Sequence, residues 1–473
     1  MMLGLKEPIV SVSHFENWCS DLLKSFKLDD LEQLKNRFRI LTDEGLDFCA
    51  LTESHPHYYL ESFPEATQFC RLKLKGPGEE DIPSLQDKID LGIPELMLNL
   101  EQGSLDNLSE NSEVIVNLAH IQQAGGNAVL ELAGMFSFLD VLEKKNCQTI
   151  NFIFALDSRQ FYQISKLRAA RVILDALKDQ GYRSEFKIIA TPSKAEYSFY
   201  EKSSLMLRNT ASISAAMMGG ADWIALDNAI DPEDETFWRQ TRNAFHVMAE
   251  ESNLSRTKDP AAGSLLVESL TDYLVKESHK WFLENQSLDL DSKLSILSKA
   301  CEELFLIKRE KVETRKTIIV GVNNYSDPSE FTALKENWKT PEKFPVRRAV
   351  ARIEKLREAL QRKTLSPILY SFGELNQVFD RVNFAKNFFE VTGKEVHHVH
   401  RKDFDIEAGD ESFIILCARD ADYPQIIEKF KAHGRPVFIV SREVKIPQCH
   451  NLYQGLNLID FLSDTLPEVK ELL

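Results

Sequence analysis

One stretch constrains the fold of this chain more than any other, because Tyr197 to Leu274 reads as helix, strand, helix, loop, helix. From Glu201 to Met218, the residues Leu205, Leu207, Ala211, Ile213, Ala216 and Met217 recur at spacings that suit a packed helix. Gly219 and Gly220 end it, since glycine accepts the left-handed backbone of a helix cap. Trp223 to Leu226 is an apolar run of strand length, and Glu235 to Glu251 returns to a helical period. The loop Arg256 to Gly263 carries Pro260, and Ser264 follows as an N-cap. This order is a piece of an α/β protein.

The same grammar extends in both directions. Strand patterns fall at Glu95 to Leu100, Ala128 to Leu132, Thr149 to Ala155, Glu185 to Thr191, Trp223 to Leu226 and Thr317 to Asn323. Helical patterns fall at Gln160 to Gln180, Glu201 to Met218, Glu235 to Glu251 and Leu265 to Glu284, with a long charged helix from Leu290 to Thr314. Such alternation predicts a parallel sheet, open or closed into an eight-fold barrel. Gly125 and Gly126 read as a turn before a strand. Residues 1–90 have amphipathic helical patches and form an arm. Pro328, Pro341 and Pro345 mark a linker over 326–364, whose run Val346 to Lys363 predicts a helix with a solvated basic face. From 365 to 473 four apolar runs (SPILYSFG, EVHHVH, FIILCA, PVFIV) alternate with helices at Asn376 to Val391 and Tyr423 to His433. That is a small doubly wound sheet of flavodoxin-like kind.

Composition removes several functional classes. The 73 acidic residues outnumber the 57 basic ones, for a net charge of -16 with no basic block, which argues against a nucleic-acid phosphate backbone as ligand. The 7 cysteines are scattered and never spaced Cys-x-x-Cys, as expected of free thiols in a reducing compartment. No apolar run reaches the ~18 residues of a membrane span. The opening MMLGLKEPIV lacks a basic and apolar leader, so a cytoplasmic location is expected. No phosphate-loop, nucleophile-elbow or HExxH motif is present.

The words MLRNTASISAAMMGGAD and RQTRNAFHVMAEESNLSRTKDPAAGSLLVESLTDYL resemble the signature of the cobalamin-dependent acyl-CoA mutases, whose type member is methylmalonyl-CoA mutase. LTDEGLDFCAL (Leu41 to Leu51), NFIFALDSRQFYQISKLRAARVIL (Asn151 to Leu174) and IIVGVNNY (Ile318 to Tyr325) are similar to further family segments. RVNFAKNFFEVTGKEV (Arg381 to Val396) is similar to the family's cobalamin domain. The resemblance implies a (β/α)8 TIM-type barrel over 91–325, followed at 365–473 by a degenerate cobalamin-binding domain. Lys166, Arg168 and Arg171 lie at helical spacings, and a solvated or partner-facing helix surface is expected for them.

The family's chemical words are eroded. Catalytic members carry Asp-x-His-x-x-Gly before the first helix of the cobalamin domain, with the His as lower cobalt ligand. The equivalent positions here are Asn376, Val378 and Arg381. The small turns after the third and fourth strands appear as Cys417, Ala418, Arg419 and as Ser441, Arg442. A Gly-Tyr-His word is missing, the substrate loop reads ATPSKAEYSF (Ala190 to Phe199), and FPEATQFCRLKLKG (Phe63 to Gly76) departs from the family's substrate-channel word. His397, His398 and His400 on a strand give no third metal ligand, and His246 is read as an ordinary helix residue. No catalytic, cofactor-binding or metal residue is therefore expected. The resemblance implies the small, non-catalytic subunit of a heterodimeric mutase, with adenosylcobalamin on a larger partner that interconverts (R)-methylmalonyl-CoA and succinyl-CoA. Two other readings stand beside it: an active acyl-CoA mutase with atypical cobalamin binding, and a scaffold or chaperone that docks reversibly on a mutase.

Overall fold

The computed structural model describes residues 39–41, 47–49, 64, 68–71, 95–96, 113–145, 147–226, 235–332, 341–402, 404, 409, 411–430, 434–466 and 469. The words at Leu41 to Leu51 and Phe63 to Gly76, and the N-terminal arm, lie largely outside them. By its contacts the chain divides into two units. The first comprises Met1–Tyr197, Met206–Leu306 and Asn337–Arg347, the second Ser198–Leu205, Ile307–Glu336 and Arg348–Leu473.

In the first unit, β1 (Arg39–Leu41) and β2 (Asp47–Cys49) pair antiparallel. A six-stranded sheet joins β3 (Gln68–Arg71), β4 (Glu95–Leu96), β5 (Glu113–Asn117), β6 (Thr149–Leu156), β7 (Glu185–Pro192) and β8 (Trp223–Leu226). Its order is β3-β8-β7-β6-β5-β4 and every pair is parallel. The centre is the β6–β7 ladder, from Thr149↔Glu185 to Leu156↔Pro192. β6 is apolar on both faces and buried along almost its whole length, as a parallel strand covered on both sides must be.

Helices α1 (Ala119–Gln123), α2 (Ala128–Leu142), α3 (Gln160–Asp179), α4 (Lys202–Gly219), α5 (Glu235–His246), α6 (Leu265–Glu284) and α7 (Leu290–Glu313) accompany these strands. α6 packs against both α2 and α3. Gly220 has φ +84, the left-handed cap read from the sequence, and a Cβ on Gly219 would meet Leu167 Cβ at 2.9 Å, so α3 and α4 touch there backbone to side chain. On α4, Leu205, Ile213, Ala216 and Met217 are buried, but Leu207 is 72% exposed.

The second unit holds α8 (Ala351–Gln361), β9 (Pro367–Phe372), α9 (Leu375–Glu390), β10 (His397–Arg401), β11 (Phe413–Cys417), α10 (Tyr423–Lys429), β12 (Val437–Val440), β13 (His450–Leu452) and α11 (Leu458–Thr465). Its sheet is parallel, in the order β10-β9-β11-β12-β13. Phe389, Phe413 and Phe438 meet in its core with ring centroids 4.9 to 5.5 Å apart, a packed aromatic cluster.

Several expectations change. Ala128 to Leu132 is the first turn of α2, not a strand; Gly125 and Gly126 turn between two helices, and the Asn127 side chain caps α2 by accepting from Leu130 N at 3.0 Å. Thr317 to Asn323 is a loop, folded around Asn323, whose Oδ1 accepts from Ile319 N at 2.7 Å while Nδ2 donates to Val312 O and Thr317 O at 2.8 Å. Ser264 stands at the start of α6 but makes no capping bond. β5, β13 and α11 were not read from the sequence. The helix at Val346 to Lys363 is present as α8; Lys355, Arg362 and Lys363 are exposed as expected, but Arg348 and Arg357 are buried.

Candidate functional site

The basic trio of α3 occupies the interior of the first unit, against the expectation of an exposed face. Lys166 and Arg168 are fully buried and Arg171 is 1% exposed. Lys166 Nζ donates to Glu131 Oε2 at 2.7 Å and to Ala155 O. Burial pushes the Glu131 carboxyl up to about 7 despite the Lys166 charge. Glu131 also accepts from Ala155 N at 2.9 Å, so α2, α3 and the end of β6 are tied at one point. Arg168 donates to Glu268 Oε1 at 2.8 Å and to Asp259, and Gly263 N reaches the same Glu268 oxygen at 2.9 Å. Arg171 bonds Gly220 O at 2.8 and 3.0 Å and pairs with Asp222, whose Oδ2 accepts from Ile188 N at 2.6 Å. Gly220 and Asp222 of the signature word GGAD, and Asp259 and Glu268 of DPAAGSLLVE, are thus partners of α3 arginines. They hold the scaffold.

At the carboxyl ends of β5, β6 and β7, where parallel α/β sheets place their chemistry, three junctions converge. Ser193 Oγ donates to Gln122 Oε1 at 2.6 Å, and Gln122 Nε2 lies 3.5 Å from Asp157 Oδ2. Asp157 is clasped by Arg159, with Nε at 3.1 Å and Nη2 at 2.5 Å. Burial alone would raise that carboxyl, but the Arg159 guanidinium and the Lys166 ammonium hold it well below the usual carboxylate range. Glu196 accepts from Ser158 N at 2.8 Å and Ser158 Oγ at 3.1 Å, and burial and the Asp157 charge raise its pKa. His120 is 7% exposed; burial, then Lys194, lowers its imidazole to about 4, so it is neutral at neutral pH. Neither of its ring nitrogens has a hydrogen-bond partner among the described residues. Apart from His120, these groups bond one another and fix three strand-to-helix turns. Their positions were missed in sequence; the available signal was a polar residue within a few positions of each strand end.

In the second unit the corresponding edge is the carboxyl ends of β9, β11 and β12. Asn376, Val378 and Arg381 all lie inside α9, not in the loop before it: Asn376 is exposed and Val378 is fully buried in the core. Arg381 reaches across the edge. Its Nη1 donates to Ala418 O at 2.7 Å, Asp420 Oδ1 at 2.8 Å and Val440 O at 3.0 Å. Tyr423 Oη closes the same place, bonding Leu416 O at 3.2 Å and Val440 O at 3.0 Å and accepting from Ala418 N at 3.2 Å. Ser441 Oγ caps its own turn, accepting from Glu443 N and Val444 N at 3.2 Å. Cys417 is buried, and burial pushes its thiol up, so it is no thiolate.

The histidines gather on a serine. Ser371 Oγ lies 2.8 Å from His398 Nε2 and 3.1 Å from His400 Nδ1, on one face of β10, while His397 and His246 are exposed. Among the described residues no three His, Cys, Asp or Glu side chains are grouped to hold a metal ion. No described helix is long and apolar enough to cross a membrane.

With this geometry in hand, comparison with known proteins is direct. The family model for methylmalonyl-CoA mutase matches residues 96–405. The methylmalonyl-CoA mutase small subunit of Porphyromonas gingivalis is 24% identical over 371 residues, 69% of this chain and 60% of that protein. The small subunit of Streptomyces virginiae is 26% identical, over 73% of this chain and 62% of that protein. Methylmalonyl-CoA mutase of Escherichia coli is 25% identical, over 46% of this chain and 34% of that protein. The matches thus span less than two thirds of these relatives' own length. A family match over residues 96–405, which contain the centre of the first sheet, the α3 ion-pair network and strands β9 and β10 of the second sheet, establishes that the chain belongs to the methylmalonyl-CoA mutase family.

Proposed function

We propose that this chain is the small, non-catalytic subunit of a heterodimeric methylmalonyl-CoA mutase. Its larger partner would carry adenosylcobalamin and the acyl-CoA site, and interconvert (R)-methylmalonyl-CoA and succinyl-CoA in the cytoplasm. The cofactor, when bound to such a partner, supplies the radical chemistry of the carbon-skeleton rearrangement. Two relatives that carry the name small subunit support the subunit role.

The strand orders support the family architecture. Read as a cycle, β3-β8-β7-β6-β5-β4 runs 4-5-6-7-8-3, so closing β3 onto β4 would complete a barrel in chain order. The second sheet, β10-β9-β11-β12-β13, has the 2-1-3-4-5 order of flavodoxin-like domains. We assign 91–325 to a degenerate mutase barrel and 365–473 to a degenerate cobalamin domain, with 1–90 as an arm and 326–364 as a connection.

One observation carries the non-catalytic reading. Arg381 spans Ala418 O, Asp420 and Val440 O at the carboxyl edge where a doubly wound sheet takes its ligand. A corrinoid tail entering there would have to break three hydrogen bonds to a charged donor, and α9 offers no histidine to replace them. The residues present do not fit the cofactor. Titration of the isolated chain with hydroxocobalamin and adenosylcobalamin, followed in the visible spectrum after gel filtration, is expected to leave the protein colourless. Stoichiometric retention of corrinoid would overturn the reading.

A further inference from the structure

The last turn of α7 leads into a cavity of about 230 Å³ in the second unit. That is several times the ~30 Å³ a water molecule takes in the liquid, so the space holds a body as well as a head group. It is lined by Arg315, by Phe384 and Phe388 of α9, and by Tyr453, Gln454 and Leu456. The Arg315 guanidinium carbon is 5.4 Å from the Phe384 ring centroid and 5.6 Å from that of Phe388, so it sits against two aromatic faces.

Among the described residues no carboxylate pairs with Arg315. Nη2 donates to Asn324 Oδ1 at 3.2 Å, a neutral acceptor. Nη1 is buried and has no hydrogen-bond partner among the described residues. Burial lowers its pKa to about 10. Arg168, Arg171, Arg348 and Arg381, by contrast, each meet a carboxylate. Arg315 also holds a left-handed backbone, φ +58, which a residue other than glycine adopts only at a cost in strain. A strained, desolvated cation facing a cavity is a recognition element for an anion.

We propose that this cavity binds a small monocarboxylate with an apolar body, its carboxylate on Arg315 and its body against Phe384, Phe388 and Leu456. One guanidinium balances one negative charge, which favours a carboxylate over a phosphate dianion. A neutral ligand would leave the cation uncompensated, and a bare inorganic anion would leave the aromatic wall unused. The site stands apart from the Arg381 edge and does not depend on the subunit role.

Calorimetric titration of the full chain with benzoate, benzyl alcohol and acetate tests it. Benzoate is expected to bind saturably, one per chain, with the alcohol and acetate each at least about tenfold weaker. Arg315→Gln should weaken benzoate by at least about tenfold. Gln454→Trp, at an exposed lining position, should block it without touching the charge. Equal binding of benzoate and benzyl alcohol, benzoate binding unchanged in both variants, or no saturation at millimolar benzoate would each overturn the proposal.

Discussion

Lys166, Arg168 and Arg171 carry three charges into the interior of the first unit, and each is met by an acid from another element. Removing one member of a buried pair costs more than the pair itself contributes, because the survivor stays desolvated. Lys166→Met is therefore expected to destabilise the chain by about 3–5 kcal/mol, while adding Glu131→Leu recovers much of that; urea unfolding of both variants measures the difference. His120 gives a pH signature. Its folded pKa of about 4 lies below the ordinary value of 6.5, so the unfolded chain binds the extra proton between them. Stability linked to His120 is thus full above pH 6.5 and is lost as pH falls towards 4. Relative to its own value at pH 7, the urea midpoint at pH 5 should lie higher in His120→Gln than in the native chain. Comparing the two proteins cancels Glu131, whose raised pKa gives the opposite slope.

At the scale of elements, legibility followed how distinct each pattern is from its competitors. α3 and α6 were read to within a residue because apolar and charged positions alternate at 3.6 residues along them. The start of α2 was misread because AVLELAGMFSFLDVL is apolar nearly all round; a helix buried on every side has no stripe to report, and its opening residues pass for a strand. β13 is three residues, His-Asn-Leu, at a sheet edge, too short and polar to stand out. The charges of Lys166, Arg168, Arg171 and Arg348 were read as solvated because sequence shows the cations but not their acids, which lie up to 100 positions away. On α8, Glu354 is the organising residue: it accepts from Ser198 Oγ at 3.0 Å and Phe199 N at 2.9 Å, and pairs with Arg348 at 2.5 Å. Glu354→Ala would remove the buried carboxylate that both Arg348 and the Phe199 amide bond. A loss of about 3–5 kcal/mol is expected, with hydrogen exchange accelerated at Phe199 and along α8.

For the molecule as a whole, two parallel sheets carry side chains of the chain's own at their carboxyl edges. Gln122, Asp157, Arg159 and Ser193 bond one another at the first edge, and Arg381 and Tyr423 bond the second. The absent Asp-x-His-x-x-Gly word was visible in the sequence. What replaces it was not, since an arginine on a helix gives no hint that it will span two strand ends. The proposed subunit role requires a catalytic relative for this chain to serve. The most direct measurement is co-purification of the tagged chain at native expression level, read as stoichiometry and visible spectrum. The account predicts a larger mutase chain recovered one to one, with corrinoid that follows the larger chain after separation. The tagged chain alone, or corrinoid that stays with it, would contradict the account.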